Sequence, residues 1–162
     1  MDKKLKEVFD TLKIKFISHK HEPIFTVAQA DKIMKENSYF LHTKNLFLKD
    51  ESKRFFLVCI PALKKVDLKK LKEKTHAKKK ITFASASELK EHLNVSPGSV
   101  SIFSAIYAKN IALLLDKDIW DARMVGFHPN DNSSTLEISH ADLEKFFNFL
   151  EIEKEVIEID EK

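Results

Sequence analysis

The run His42-Thr-Lys-Asn45 sets a lysine and an amide immediately before the apolar Leu46-Phe-Leu48. A strand that starts there must enter the core. Lys44 and Asn45 would then stand at the mouth of a cleft, a point charge and a hydrogen-bonding amide facing whatever the cleft admits. A second polar cluster, Phe127-His-Pro-Asn-Asp-Asn-Ser-Ser-Thr135, places a histidine and several hydrogen-bonding side chains between Val125 and a strand that begins near Leu136. On local pattern alone the two segments read as a lysine at a strand edge and an Asx-rich turn. The chain has no Walker loop, G-x-G-x-x-G, H-E-x-x-H, C-x-x-C or nucleophile elbow. His19 and His21 would share a strand face, but the sequence puts no third ligand near them, so a surface or packing role is expected and no metal. The single cysteine, Cys59, lies between Val58 and Ile60 and reads as a small core residue in a reducing compartment.

The elements that must position these groups follow from periodicity and capping. Leu5, Val8, Phe9 and Leu12 have helical spacing over Lys3 to Leu12, and Lys15 to His19 alternates as a strand. Thr26-Val-Ala-Gln29 has capping-box spacing ahead of a helix from about Val27 to Lys35, with Ala30, Ile33 and Met34 as its inner face. Asn45 to Lys49 and Arg54 to Ile60 form a hairpin through the polar Asp50-Glu-Ser-Lys53. Asp67 caps a helix over Leu68 to Lys74, Ile81 to Ala84 is strand-like, and Ser85-Ala-Ser-Glu88 opens a helix to about Leu93. After the loop Val95-Ser-Pro-Gly98, the unbroken Ile111 to Leu115 predicts a strand buried on both faces. Ser134 to Ser139 alternates, Ser139 caps a helix to about Leu150, and Val156 to Ile159 closes the chain as a strand. Strands and helices interleave without strict βαβ regularity. The expectation is an α/β fold, a single domain over residues 1–162 with a mixed, curved β-sheet and packed helices.

At 162 residues, 43% hydrophobic and 33% charged, the chain has the composition of a folded globular protein and not of a disordered one. No stretch approaches the ~18 apolar residues that span a bilayer, and charges interrupt the first segment, so neither a membrane protein nor a secretory signal is expected. The expected location is cytoplasmic. The 28 basic and 25 acidic residues nearly cancel to +3, but they are unevenly spread. Lys64 to Lys80 holds nine lysines against two acids, and Ala141 to Lys162 eight acids against three lysines. Such a basic strip reads either as a solvated face or as a surface for an anionic partner.

Taken in order, Thr43-Lys-Asn-Leu-Phe-Leu48, Val66-Asp-Leu68 with Leu71, Phe83-Ala-Ser85, Pro97-Gly-Ser-Val100, Leu115-Asp-Lys117, Phe127-His-Pro129 and Thr135 resemble the YbaK/ProX aminoacyl-tRNA editing superfamily. The branch they are most similar to is the free-standing prolyl-tRNA editing proteins. The resemblance runs from about Leu5 to Val156-Ile157. It implies hydrolysis of the ester that joins a wrong amino acid, typically alanine, to tRNA for proline. A synthetase pocket that tells side chains apart by missing methylenes gains only about 1–3 kcal/mol, so a second sieve must remove the error.

By this resemblance Lys44 is the residue the activity depends on, Gly98 begins the loop that offers backbone N–H groups to the substrate, and His128 of the His-Pro word holds the amino acid or ribose. Thr43, Asn45, Ser99, Val100, Ser101, Asn132 and Thr135 would line the substrate site. Lys49, Lys78, Lys79 and Lys80 would meet tRNA phosphates. No cofactor is expected; the partners implied are aminoacyl-tRNA, tRNA for proline above all, and prolyl-tRNA synthetase. A deacylase for Cys-tRNA or another small amino acid, or a binding protein without activity, remain alternatives. Three departures from the family pattern stand out: Ile102 replaces the proline of G-x-x-x-P, the stretch Phe103-Ser-Ala-Ile-Tyr-Ala-Lys109 beyond it includes the bulky Tyr107, and Ser38-Tyr-Phe-Leu41 replaces the glycines before His42.

Overall fold

The computed structural model describes residues 1–23, 26–36 and 39–162. Among them the order is α1 (Lys3–Leu12), β1 (Ile17–Lys20), α2 (Val27–Glu36), β2 (Leu41–Lys49), β3 (Phe55–Pro61), α3 (Leu68–Thr75), β4 (Thr82–Phe83), α4 (Ala86–Leu93), a 3-10 segment (Ile102–Tyr107), β5 (Ile111–Asp116), α5 (Lys117–Asp121), β6 (Met124–Phe127), β7 (Ser134–Ser139), α6 (His140–Phe149) and β8 (Glu153–Ile157). The strands form one mixed sheet in the order β1-β7-β6-β2-β3-β5-β8, with β4 on β2. This is the mixed α/β architecture expected from the sequence.

β2 organises the sheet. It pairs with β3 along seven residues, Thr43↔Pro61 to Lys49↔Phe55. Its other edge is shared: β6 runs parallel to its start, Leu41↔Val125 and His42↔Gly126, and β4 pairs with its end, Leu48↔Phe83 and Lys49↔Thr82. Two cores lie on the two faces. Phe47 joins the larger, which gathers Leu5, Phe9, Leu93, Phe103, Phe127 and Phe146 from the helices and strands around it. Leu48 joins the smaller, where Phe56, Val58, Leu71 and Ile81 meet. Because side chains alternate along a strand, Thr43, Asn45 and Phe47 share one face, and His42, Lys44, Leu46 and Leu48 the other.

The caps read from the sequence are present: Asp67 accepts from Lys69 and Lys70, Ser85 and Glu88 form a reciprocal box, and Ser139 accepts from Asp142. Thr26 and Gln29 likewise exchange bonds of 3.0 and 3.1 Å. Four differences stand out. β2 begins at Leu41, so the polar His42 to Asn45 lies inside the strand and not before it. Residues 102–107 turn as a 3-10 segment, and β6, like α5, carries no clear period. β8 begins at Glu153, three residues earlier than expected, because it is a charged edge strand paired to β5 alone. The acidic end of the chain, set apart from the basic strip in sequence, is tied to it in the fold: Lys74 pairs with Asp160 at 2.9 Å, and the Asp67 N–H donates to the Asp160 carbonyl.

Candidate active site

β2 and β6 stay paired for two residues and then diverge. Thr43 Oγ1 donates to the Gly126 carbonyl at 2.6 Å as the last tie between them. In the gap beyond it lies a cavity of about 630 Å³. Its floor is His42, Thr43 and Lys44 of β2, Ala62 and Leu63 after β3, and Gly126, His128 and Thr135 of the β6–β7 hairpin. Its roof is α2, which contributes Ala28, Ala30, Asp31, Ile33 and Met34. The α2 residues expected to face a core, Ala30, Ile33 and Met34, therefore face a cavity.

His42 of the floor belongs to a stack of rings. The buried Phe40 lies between His42 (centroids 4.4 Å) and His19 (5.3 Å), each inclined by 26°. Gly126 exists to admit it: a Cβ there would lie 2.3 Å from Phe40 Cε2 and 2.8 Å from Thr135 Cγ2. Behind the stack His19 Nε2 meets the buried Glu137 carboxylate at 2.9 Å. These contacts give His19 and His21 their packing roles, since His21 Nε2 lies 2.9 Å from Thr135 Oγ1 and its Nδ1 donates to the Glu22 carbonyl.

His128 is held at one edge. Its Nδ1 donates to the Ser134 carbonyl at 3.0 Å, and because a carbonyl can only accept, the neutral ring keeps Nε2 as an acceptor. Burial pushes its pKa below the ordinary imidazole value, against the pull of that carbonyl, and His21 and His42 act in the same direction as burial. Lys44 is likewise pushed down, first by burial and then by the neighbouring charge of Lys65. It makes no ion pair among the described residues. The site thus combines a partly desolvated ammonium, an imidazole acceptor and two threonine hydroxyls under a roof whose one charged group, Asp31, is ion-paired with Lys35 at 2.9 Å. Among the described residues no three His, Cys, Asp or Glu side chains are grouped to hold a metal ion.

Of the residues singled out from the sequence, the structure brings Thr43, Lys44, His128 and Thr135 around this cavity. Asn45 does not line it: it shares the face of Thr43 but lies two residues further along β2, where Oδ1 is buried and has no hydrogen-bond partner among the described residues. Gly98, at φ +89°, lies beside Asn132, 3.7 Å from Nδ2 to the position of a Cβ. Ser101 is buried and caps the 3-10 segment, Ser99 and Val100 precede it, and none of the four lines the cavity. The loop instead touches the segment that carries His128, through Gly98 and Asn132 and through Ser104 Oγ donating to Asn130 Oδ1 (2.8 Å). Lys49 is engaged elsewhere, in a 2.7 Å ion pair with Glu88, whose carboxyl that ammonium and the Ser85 N–H hold at about 2. Lys78, Lys79 and Lys80 are exposed and lie apart from the cavity. Tyr107, expected to crowd the pocket, packs by Lys4, 4.6 Å from its ring. Ser38 lies outside the described residues; Tyr39 and Phe40 build the ring stack. Sequence reasoning missed Gly126 as a site residue, although it is one of only two glycines in the chain.

This fold and site define an aminoacyl-tRNA editing domain, an enzyme that hydrolyses the ester of a mischarged tRNA. Residues 21–146 match the family described as "Aminoacyl-tRNA editing domain", and the chain belongs to it. The prolyl-tRNA editing protein ProX of Acetoanaerobium sticklandii is 36% identical over 139 residues, covering 84% of this chain and 84% of that protein. The prolyl-tRNA synthetase associated domain-containing protein 1 of Danio rerio is 31% identical over 150 residues, covering 89% of this chain and 79% of the relative. Among solved structures, a candidate trans-editing enzyme for prolyl tRNA synthetase superposes with a TM-score of 0.73 at 12% identity, covering 100% of this chain and 99% of that one. The hypothetical protein APE2540 superposes at 0.72 with 21% identity, covering 93% and 98%. At those identities the two structures share the fold and establish nothing finer. No helix among the described residues is long and apolar enough to cross a membrane.

Proposed function

We propose that this chain acts in trans on tRNA for proline that carries alanine. Lys44 holds the phosphate or ribose oxygens beside the ester, His128 Nε2 accepts a hydrogen bond from the ribose or the amino acid, and Thr43 and Thr135 complete the polar floor. Ile33 and Met34 in the roof limit the side chain the cavity admits. Water attacks the aminoacyl carbonyl with help from the substrate's own ribose hydroxyl, and catalysis comes from positioning and fixed donors. The loop from Gly98 to Ser101 contributes by steadying the Asn130–Asn132 segment and through it His128. Prolyl-tRNA synthetase, which makes the error, is the partner this activity serves. The observation that supports the reading best is the convergence of Lys44 and His128 on one cavity of this size.

Single-turnover hydrolysis of Ala-, Cys-, Ser- and Pro-tRNA tests it. Ala-tRNA should be cleaved fastest and Pro-tRNA spared, and Lys44→Ala should abolish cleavage without lowering the melting temperature. Preference for Cys- or Ser-tRNA would reassign the substrate. Wild-type rates from Lys44→Ala would remove the lysine from the mechanism, and no cleavage of any ester would leave a binding protein.

A further inference from the structure

The lysines of this chain fall into two groups. Some are consumed by the fold: Lys49 by Glu88, Lys74 by Asp160, and Lys64 by Asp116 at 2.7 Å and the Ile159 carbonyl at 2.9 Å. Others make no ion pair among the described residues, and three of these, Lys69, Lys72 and Lys80, line one groove of about 880 Å³ together with Lys79 and Lys162. Of its two acids, Asp67 is occupied as the α3 cap, and Glu51 meets Lys79 only at 3.7 Å. The lysine turn is fixed in place: the buried Asp50 carboxylate accepts from the Lys78 N–H at 2.9 Å, the Glu51 N–H donates to the Lys78 carbonyl, and Lys79 follows at φ +58°.

The groove lies on the same side of the sheet as Lys44. Its floor includes Ile81, which packs with Leu48 in the smaller core. Leu48 shares its face of β2 with Lys44 four residues away, about 13 Å along the strand. Lys65 is close enough to depress the Lys44 pKa and is adjacent in the chain to Val66, which lines the groove. Two residues beyond Ile81, Phe83 stands 62% exposed on the short strand β4, paired with Leu48 and so on the Leu48 face of the sheet. A run of unpaired lysines with an exposed aromatic is the chemistry that tracks single-stranded RNA: phosphates on the cations, a base on the ring.

Resting on the editing reading, we propose that this groove is the second contact for the RNA, taking the phosphates of the nucleotides that precede the aminoacylated one while Lys65 spans the way to Lys44 and Phe83 stacks an unpaired base. The binding is read through charge and stacking, so it is indifferent to which amino acid is attached.

The test is the triple variant Lys69→Glu/Lys72→Glu/Lys80→Glu beside a control of equal net charge, Lys6→Glu/Lys90→Glu/Lys109→Glu. Binding of uncharged tRNA is titrated at several salt concentrations, and hydrolysis is measured on Ala-tRNA and on alanyl-adenosine. The groove triple should bind tRNA about tenfold more weakly, and its log K against log salt slope should be shallower by about 2, since each lost phosphate contact removes about 0.7–0.9. It should raise KM for Ala-tRNA and leave alanyl-adenosine hydrolysis unchanged. Phe83→Ala should weaken tRNA binding without changing the salt slope. Equal losses in groove and control triples, or a wild-type slope in the groove triple, would overturn the proposal. Wild-type protein that hydrolyses neither ester would instead overturn the editing reading, with the binding arm still deciding the groove.

Discussion

Replacing Asp50 with asparagine should loosen the joint between the β2–β3 hairpin and the lysine turn, and its cost can be worked from the geometry. The side chain is 4% exposed. Oδ1 accepts from the Ser52 N–H (2.9 Å), the Ser52 hydroxyl (2.8 Å) and the Arg54 N–H (3.0 Å), while Oδ2 accepts from the Lys78 N–H (2.9 Å). Burial alone would raise the carboxyl's pKa; the Lys78, Arg54 and Ser52 donors outweigh it and bring it from 3.8 to about 2. A folded pKa below the unfolded one stabilises above the unfolded value and is lost as pH falls through the folded one. At about 1.4 kcal/mol per unit this is roughly 2 kcal/mol at neutral pH.

Asparagine keeps the Oδ1 bonds but turns an N–H₂ toward the Lys78 N–H, leaving two donors opposed, a loss of about 1–3 kcal/mol. Asp50→Asn should therefore unfold about 2–3 kcal/mol more easily at pH 7, a fall in Tm of roughly 5–10 °C for a chain of this length. The gap should hold down to about pH 5 and narrow by roughly 1 kcal/mol at pH 3, where the wild-type carboxyl is partly protonated in the unfolded chain. Glu88, also held at about 2, titrates alike in both proteins and cancels in the difference. Urea unfolding of the pair at pH 7, 5 and 3 measures it. A gap under about 0.5 kcal/mol at pH 7, or one unchanged at pH 3, refutes the assignment of the charge to this joint.

Gly126→Ala must displace Phe40, whose buried ring would lie 2.3 Å from the new methyl carbon; a cost of about 1–3 kcal/mol is expected. Deacylation should fall further than the melting temperature explains, because Phe40 carries His42, and a wild-type melt and rate would show that the ring yields freely. Ile102→Pro should fold, since Ser101 is already extended (φ −147°, ψ 160°) and residue 102 opens a 3-10 segment where proline is accepted. It should lower stability by about 1 kcal/mol through lost core volume and leave single-turnover hydrolysis nearly unchanged, because Ser101, Ser104 and Asn130 already brace the loop; a large gain in rate would mean that backbone freedom at residue 102 limits the reaction.

What the sequence reveals is what its neighbours decide. Asp67, Ser85 and Ser139 cap helices through partners two or three residues away, so their roles are written locally. The unbroken apolar run of β5 is equally plain, buried along all six residues. The first half of β2 is hidden for the opposite reason: His42 to Asn45 belongs to a strand that borders a cavity, so it lacks the apolar alternation by which strands are recognised. Lys44 and His128 stand out by residue type, yet their meeting depends on the Leu41↔Val125 pairing, 84 positions apart in the chain, which no local pattern carries. The same holds for Lys49, whose carboxylate partner lies 39 residues away.

Lys44 and Lys49 show why residue type alone under-determines function. They occupy one strand five positions apart and so point to opposite faces. Lys49 meets the Glu88 carboxylate and becomes part of the fold. Lys44 receives no carboxylate among the described residues; it has partial burial and a second lysine beside it, both of which disfavour its charge. A cation kept in that state lowers the stability of the free protein, and an anion entering the cavity relieves it. In the proposed reading, the RNA brings negative charge to Lys44 and Lys65 together. A polyanionic strand supplies that charge, whereas a free amino acid, with one carboxylate, does not. With Lys44 in the role proposed for it, the arrangement would favour the amino acid while it is still attached to RNA, the state in which an editing enzyme must meet it.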